Sequence, residues 1–259
     1  MLKVVIVIVL VGIAGGLWFA RPRLSAQNPD DFQKLDGPTR LARARLAREA
    51  VIRARYKDAG VAYPGQVFVR WFKREAVMEL WARNERGPFV RVASWPILAP
   101  SGGPGPKRRE GDKQVPEGFY EIVHFNPQSL YHLSLGLNYP NAADLVLADP
   151  ENPGTDIYIH GSNVSVGCAP LGDAGIEELY LATSDAHDAG QMRIAVHIFP
   201  ARMVGAEWER FKRENIEQRP ELSGFWAQLQ PAFDAFEKSH LIPEVAVEAD
   251  GRYRVSAEK

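Results

Sequence analysis

Gln66-Val67-Phe68-Val69-Arg70-Trp71-Phe72-Lys73-Arg74-Glu75-Ala76-Val77-Met78-Glu79-Leu80-Trp81-Ala82 is the stretch that decides the fold. Its first seven residues are rich in β-branched and aromatic side chains, Lys73-Arg74-Glu75 supplies a polar turn, and residues 76–82 resume the same texture. The stretch predicts a β-hairpin, because this spacing has period two and lacks the helical i, i+3, i+4 recurrence. Toward the C terminus, residues 88–94 predict a third strand. Ser101-Gly102-Gly103-Pro104-Gly105-Pro106-Lys107 can only be loop, and it continues through Gly111-Asp112 and Val115-Pro116-Glu117-Gly118. Further strands are expected at 119–125, 156–160 and 193–199, with a closing pair at 244–248 and 252–256 around Ala249-Asp250-Gly251. Helical patterns occupy 173–186, 205–215 and 221–239, the last with a kink expected at Pro231. The expected fold class is α+β: a mainly antiparallel β-sandwich or barrel-like domain with flanking helices.

Upstream of the hairpin the chain changes character twice. Residues 37–57 are helical and basic, with Leu41, Ala44, Ala47, Val51 and Ala54 at helical spacing and arginines at 40, 43, 45, 48, 53 and 55. One weak apolar stripe on so charged a helix predicts a solvated spacer. Before it, Val4 to Ala20 is unbroken apolar sequence closed by Arg21-Pro22-Arg23. Seventeen apolar residues lie between a long signal-peptide core and a short membrane span, so a cleaved signal and a retained anchor both stand, and either exports the remainder of the chain. The expected division is residues 1–26 signal or anchor, 27–63 spacer, 64–204 catalytic domain, and 205–259 C-terminal helices and hairpin packed upon it.

Composition limits the function. With 259 residues and 46% hydrophobic side chains the chain can bury a substantial core, and its net charge of −1 gives no general attraction to nucleic acid. A single cysteine excludes an internal disulfide framework and multi-thiolate zinc. His124, His132, His187, His197 and His240 are too scattered to suggest a metal site. No cofactor or metal is expected.

The chemistry gathers at Ile159-His160-Gly161-Ser162-Asn163-Val164-Ser165-Val166-Gly167-Cys168. Alternation places Asp156, Tyr158 and His160 on one strand face, and eight residues suffice to bring Cys168 back to the imidazole. An adjacent imidazole takes the thiol proton and stabilises the thiolate, which lowers the pH at which the sulfur reacts. Gly161 permits a sharp departure from the strand, and Gly167 lets a carbonyl approach the backbone, so amides around Gly167 and Cys168 form a candidate oxyanion cradle. A buried, inert cysteine is the competing reading of the spacing alone.

His160-Gly161 with Ser165-Val166-Gly167-Cys168 resembles the catalytic signature of the L,D-transpeptidase (YkuD-type) domain, and more narrowly its YafK/DpaA subgroup. Ser101-Gly102-Gly103, Gly105-Pro106-Lys107, Gly111-Asp112, Pro116-Glu117-Gly118-Phe119-Tyr120, Tyr131-His132, Tyr139-Pro140-Asn141 and His197-Ile198-Phe199-Pro200 fall in the family's order. The resemblance implies a periplasmic enzyme acting on peptidoglycan peptide stems, with Cys168 as nucleophile, His160 as general base, and Gly167, Ser165 and Gly161 shaping the oxyanion site. His132, Tyr131, Lys107 and Arg202 are candidates for holding substrate. The chain departs from the broad family in having Val166 two residues before the cysteine and Ala169-Pro170-Leu171 after it, without the usual histidine and arginine. Cross-linking and amide hydrolysis that detaches a protein from peptidoglycan are both implied. Partners would be peptide stems, a peptidoglycan-linked envelope protein, and the inner membrane through residues 4–20 if uncleaved. A membrane-tethered, non-catalytic peptidoglycan-binding module is the alternative from another class.

Overall fold

The structure is a computed structural model that describes residues 34–163 and 167–256. The apolar run at 4–20, and the readings of it as signal or anchor, fall outside these residues. Among the described residues no helix is long and apolar enough to cross a membrane.

The elements in chain order are α1 (Gly37–Asp58), β1 (Gln66–Phe72), β2 (Val77–Arg83), β3 (Val90–Pro96), β4 (Gly118–Ser129), β5 (His132–Leu137), α2 (Ala142–Leu147), β6 (Tyr158–His160), β7 (Ala169–Pro170), α3 (Gly172–Asp188), β8 (Ile194–Phe199), α4 (Gly205–Gln218), α5 (Glu221–Ser239), β9 (Glu244–Val247) and β10 (Tyr253–Ser256). One eight-stranded sheet runs β3-β2-β1-β8-β4-β5-β6-β7, and β9 and β10 form a separate hairpin. Pairing is antiparallel except for β1 with β8 and β6 with β7. Where a two-layer sandwich was one expectation, there is a single sheet that curls until the N–H of Leu98, just past β3, reaches the carbonyl of Pro170 in β7 at 2.9 Å.

Each face of the sheet carries its own helices because the strands alternate. Val67, Val69 and Trp71 of β1 and Leu133, Leu135 and Leu137 of β5 pack with Ile176 and Leu179 of α3. Phe72 and Phe199 face the other way, onto Trp226, Leu229 and Phe233 of α5. On that second side His197 is buried between the rings of Phe68 and Phe119, with centroids 4.7 Å away in each case. Helix α5 runs through Pro231.

The basic helix α1 is not a solvated spacer. Ala44, Ile52 and Tyr56 are fully buried in the main core. The arginines of the same face reach carboxylates on α3: Arg45 to Asp185 at 2.9 and 2.6 Å, Arg48 to Glu177 at 3.1 Å, and Arg55 to Glu178 at 3.1 Å. Gly37 is pressed so closely on β4 that a Cβ there would lie 2.9 Å from Pro127. Val51 and Ala54, assigned to the apolar stripe, are exposed. The docking face is largely ionic, so hydrophobic periodicity cannot reveal it.

Candidate active site

Strand β6 is three residues long, and its register places the chemistry. Ile159 pairs with Ala169 and His160 with Pro170 in parallel. Residues paired across a parallel ladder share a face, and alternation then puts Cys168 and Pro170 on the face of His160 while Ile159 and Ala169 enter the core. Cys168 falls beside Tyr158, whose N–H donates to Sγ at 3.5 Å, and the thiol reaches the carbonyl of Asp156 at 3.5 Å. Asp156 adopts φ 61° and precedes the strand, so it leaves the alternation that was to align it with Tyr158 and His160. What it presents to the sulfur is its backbone carbonyl.

The imidazole of His160 is buried, and its Nδ1 lies 2.6 Å from the carbonyl of Gly161. A carbonyl only accepts, so Nδ1 carries the proton and Nε2 keeps its lone pair in the neutral ring. The ring of Tyr131 covers it, with centroids 4.7 Å apart and planes at 32°. Burial pushes the imidazole below its ordinary range, against the opposing pull of the Gly161 carbonyl. Burial also pushes the Cys168 thiol up; the Tyr158 N–H and the charge of Lys107 oppose this, and Asp156 adds to it. The resting pair is therefore a thiol and a neutral imidazole, rather than the thiolate and imidazolium expected from the spacing.

The two glycines serve different needs. A Cβ on Gly161 would lie 2.7 Å from Oδ1 of Asp173 and from the Tyr131 carbonyl, so the position has no room. At Gly167 the space is open, with nothing nearer than 3.5 Å, but φ is 88° and requires a residue without a Cβ. The Gly167 N–H donates to Oγ of Ser101 at 2.7 Å, which ties the cysteine loop to the Gly-Pro segment. Ser165 lies outside the described residues.

That segment is itself strongly held. Fully buried Glu117 accepts from the N–H of Gly105 (2.7 Å), Nζ of Lys73 (2.9 Å) and Nε1 of Trp226 (2.8 Å). Asp112 accepts from the N–H groups of Arg108, Arg109 and Gln114 and from Nζ of Lys107. It anchors the turn that carries Lys107, whose charge is felt at the Cys168 thiol. Of the four substrate candidates, Tyr131, His132 and Lys107 gather around the Cys168 and His160 strands. Arg202 is held elsewhere, by Glu79 at 2.5 Å and over the ring of Phe72 at 4.3 Å, on the α5 side.

Sequence reasoning missed Glu177, whose Oε1 accepts from Nε2 of His132 at 2.9 Å, and Arg40, whose Nη1 donates to the carbonyls of Ser129 and His132. Nothing in their spacing marks them; each acts across more than forty residues of chain.

Comparison with known proteins shows the family. Residues 67–196 match the family profile of the L,D-transpeptidase catalytic domain, YkuD. Proteins named "Putative L,D-transpeptidase YafK" in Escherichia coli K12 and O157:H7 are each 34% identical over 203 residues, which is 78% of this chain and 77% of theirs. Among solved structures, the helical cell shape determining protein Pgp2 of Campylobacter jejuni aligns over 76% of this chain and 80% of its own, with 16% identity and TM-score 0.41. A mutant of that protein aligns over 52% of this chain and only about half of its own length (47%), with 23% identity and TM-score 0.42. Bd1075 of Bdellovibrio bacteriovorus aligns over 66% and 60%, with 20% identity and TM-score 0.38. With the matching profile spanning half the chain and curated relatives similar along most of their length, this protein belongs to the L,D-transpeptidase catalytic-domain family.

Proposed function

We propose that the protein is a periplasmic, cysteine-dependent enzyme acting on peptidoglycan peptide stems. The observation that carries this reading is the contact of Cys168 Sγ with the Tyr158 N–H and the Asp156 carbonyl, on the sheet face it shares with a tautomerically fixed His160. The thiol proton passes to Nε2 of His160 as Sγ attacks the carbonyl of a diaminopimelate-linked amide. The C–N bond then breaks, the amine departs with the proton returned by His160, and a Cys168 thioester remains. An amine acceptor gives a cross-link and regenerates the thiol; water cleaves the thioester to a carboxylate and regenerates the thiol, so that the departed amine is lost by net hydrolysis. Lys107, buried and anchored by Asp112, would meet a substrate carboxylate near the sulfur.

Incubation with purified sacculi carrying attached protein, followed by muropeptide chromatography, tests the reading. New cross-linked dimers identify the transpeptidase, and released protein with shortened attachment products identifies the amidase. Unchanged sacculi with both wild type and Cys168→Ala would leave the non-catalytic binding module as the better account.

A further inference from the structure

The turn between β4 and β5 carries both restraints on the catalytic imidazole. Tyr131 stacks on the His160 ring, and the Tyr131 carbonyl together with Cβ of His132 walls Gly161, whose own carbonyl accepts a hydrogen bond from the Nδ1–H of His160. This turn does not hold itself in shape by local preference: His132 sits at φ 76°, a left-handed conformation unfavourable for a residue with a Cβ. What holds it comes from two helices. From α1, Nη1 of Arg40 donates to the carbonyls of Ser129 and His132, the two residues that close the turn. From α3, Oε1 of Glu177 accepts from His132 Nε2 at 2.9 Å, and its Oε2 accepts from Nε of Arg48 at 3.1 Å. His132 and Glu177 are both more than nine-tenths buried. Burying a carboxylate against an imidazole brings little net stability, because the desolvation cost offsets the attraction. What such a pair supplies is geometry.

We propose that Glu177, held by Arg48 of α1, is a positioning residue for the reaction, acting through His132 and the β4–β5 turn on the His160 imidazole. The proposal rests on His160 being the general base. It makes α1 part of the catalytic apparatus, through residues that never approach substrate. Tyr131 from the turn lies on the imidazole, Cys168 shares its sheet face, and Asp173 of α3 stands with the turn against Gly161. Glu177 and Arg48 stand one contact further out, behind His132.

The test uses the full-length chain and its Glu177→Ala, Glu177→Gln and Arg48→Ala variants, with Arg43→Ala on the exposed side of α1 as control. Turnover of tetrapeptide muropeptides and the pH titration of the His160 ring, followed by histidine NMR, are the two readouts. Glu177→Ala should lower kcat about tenfold to a hundredfold with KM changed less than about threefold. Its His160 ring, freed from the Tyr131 cover, should titrate at higher pH, moving the acid limb of activity with it. Glu177→Gln keeps an acceptor for His132 and should recover most of the loss; Arg48→Ala should show the same shift more weakly, and Arg43→Ala none. Unchanged kcat, pH profile and His160 titration in folded Glu177→Ala would overturn the proposal. So would a kcat loss with the His160 titration unmoved and no recovery by Gln. A wild type without turnover would instead refute the enzymatic reading, and the NMR titration would still decide the positioning role. If Glu177→Ala does not fold, Glu177→Gln against Arg48→Ala decides it on the same two readouts.

Discussion

His197 should make the protein's stability fall as the pH is lowered, by an amount that can be isolated. Its ring is enclosed by Phe68 and Phe119, and burial, with the nearby charge of Arg70 as the second cause, pushes its pKa down to about 3. In the unfolded chain the same group titrates near its ordinary value of about 6.5. Between these values the unfolded state holds a proton that the native state refuses, so stability is present above pH 6.5 and is lost as pH falls below it. The slope approaches 1.4 kcal/mol per pH unit, which amounts to about 2 kcal/mol between pH 7.5 and 5.0. Other groups contribute: His160, also pushed down by burial, acts in the same direction, while Asp144, raised by burial to about 6, acts in the opposite one. These contributions are common to wild type and a His197→Phe variant. Urea unfolding of both at pH 7.5, 6.0 and 5.0 should show the wild type losing about 2 kcal/mol more than the variant over that range. The slope is read rather than the midpoint, so altered packing in the variant does not matter. Parallel stability curves would show that His197 takes up its proton in the native state, and the argument from burial would fail.

Cys168→Ser should abolish turnover while changing unfolding stability by less than about 1 kcal/mol, since the thiol's polar contacts are long and weak; equal loss of fold and activity would make the cysteine structural. Iodoacetamide labelling of Cys168 should become rapid only above the ordinary cysteine range, because burial raises the thiol, and fast labelling at pH 7 would contradict the neutral resting pair. Gly167→Ala should cost about 1–2 kcal/mol through backbone strain at φ 88°, measured by denaturant unfolding; no cost would mean that the loop relaxes freely. A chain beginning at residue 60 should lose roughly 5 kcal/mol or fail to fold, because Ile52 and Tyr56 leave the core, and an unchanged thermal midpoint would return α1 to the status of a spacer.

Much of the sheet was legible because its strands keep period two. The hairpin of β1 and β2, the third strand, β4, β8 and the closing pair stand within a few residues of where alternation and turn chemistry put them. Strand β5 was overlooked although Leu133, Leu135 and Leu137 alternate, since Ser134 and Gly136 between them dilute the pattern. At the site, sequence placed Cys168 and His160 through spacing and resemblance. It did not find Glu177, Arg40 or Ser101, whose roles exist only once distant segments meet. The α1 interface was misread for a related reason: its arginines look solvated until the carboxylates of α3 are beside them.

The parallel pairing of Val69 with Val196 has a consequence for how the chain reaches its folded state. Strands β1 to β3 can assemble as a local meander, but β1, whose two faces are buried in the finished sheet, stays an open edge until the chain through Phe199 is available. Contacts of such long sequence separation form slowly, and an unpaired apolar edge is prone to join the wrong strand while it waits. Strand β7, next to Cys168, is the last strand of the sheet order and is closed on its far side by Leu98. Assembly of the candidate site is thus tied to completion of the whole sheet, so a partly folded chain carries Cys168 without the sheet face it shares with His160.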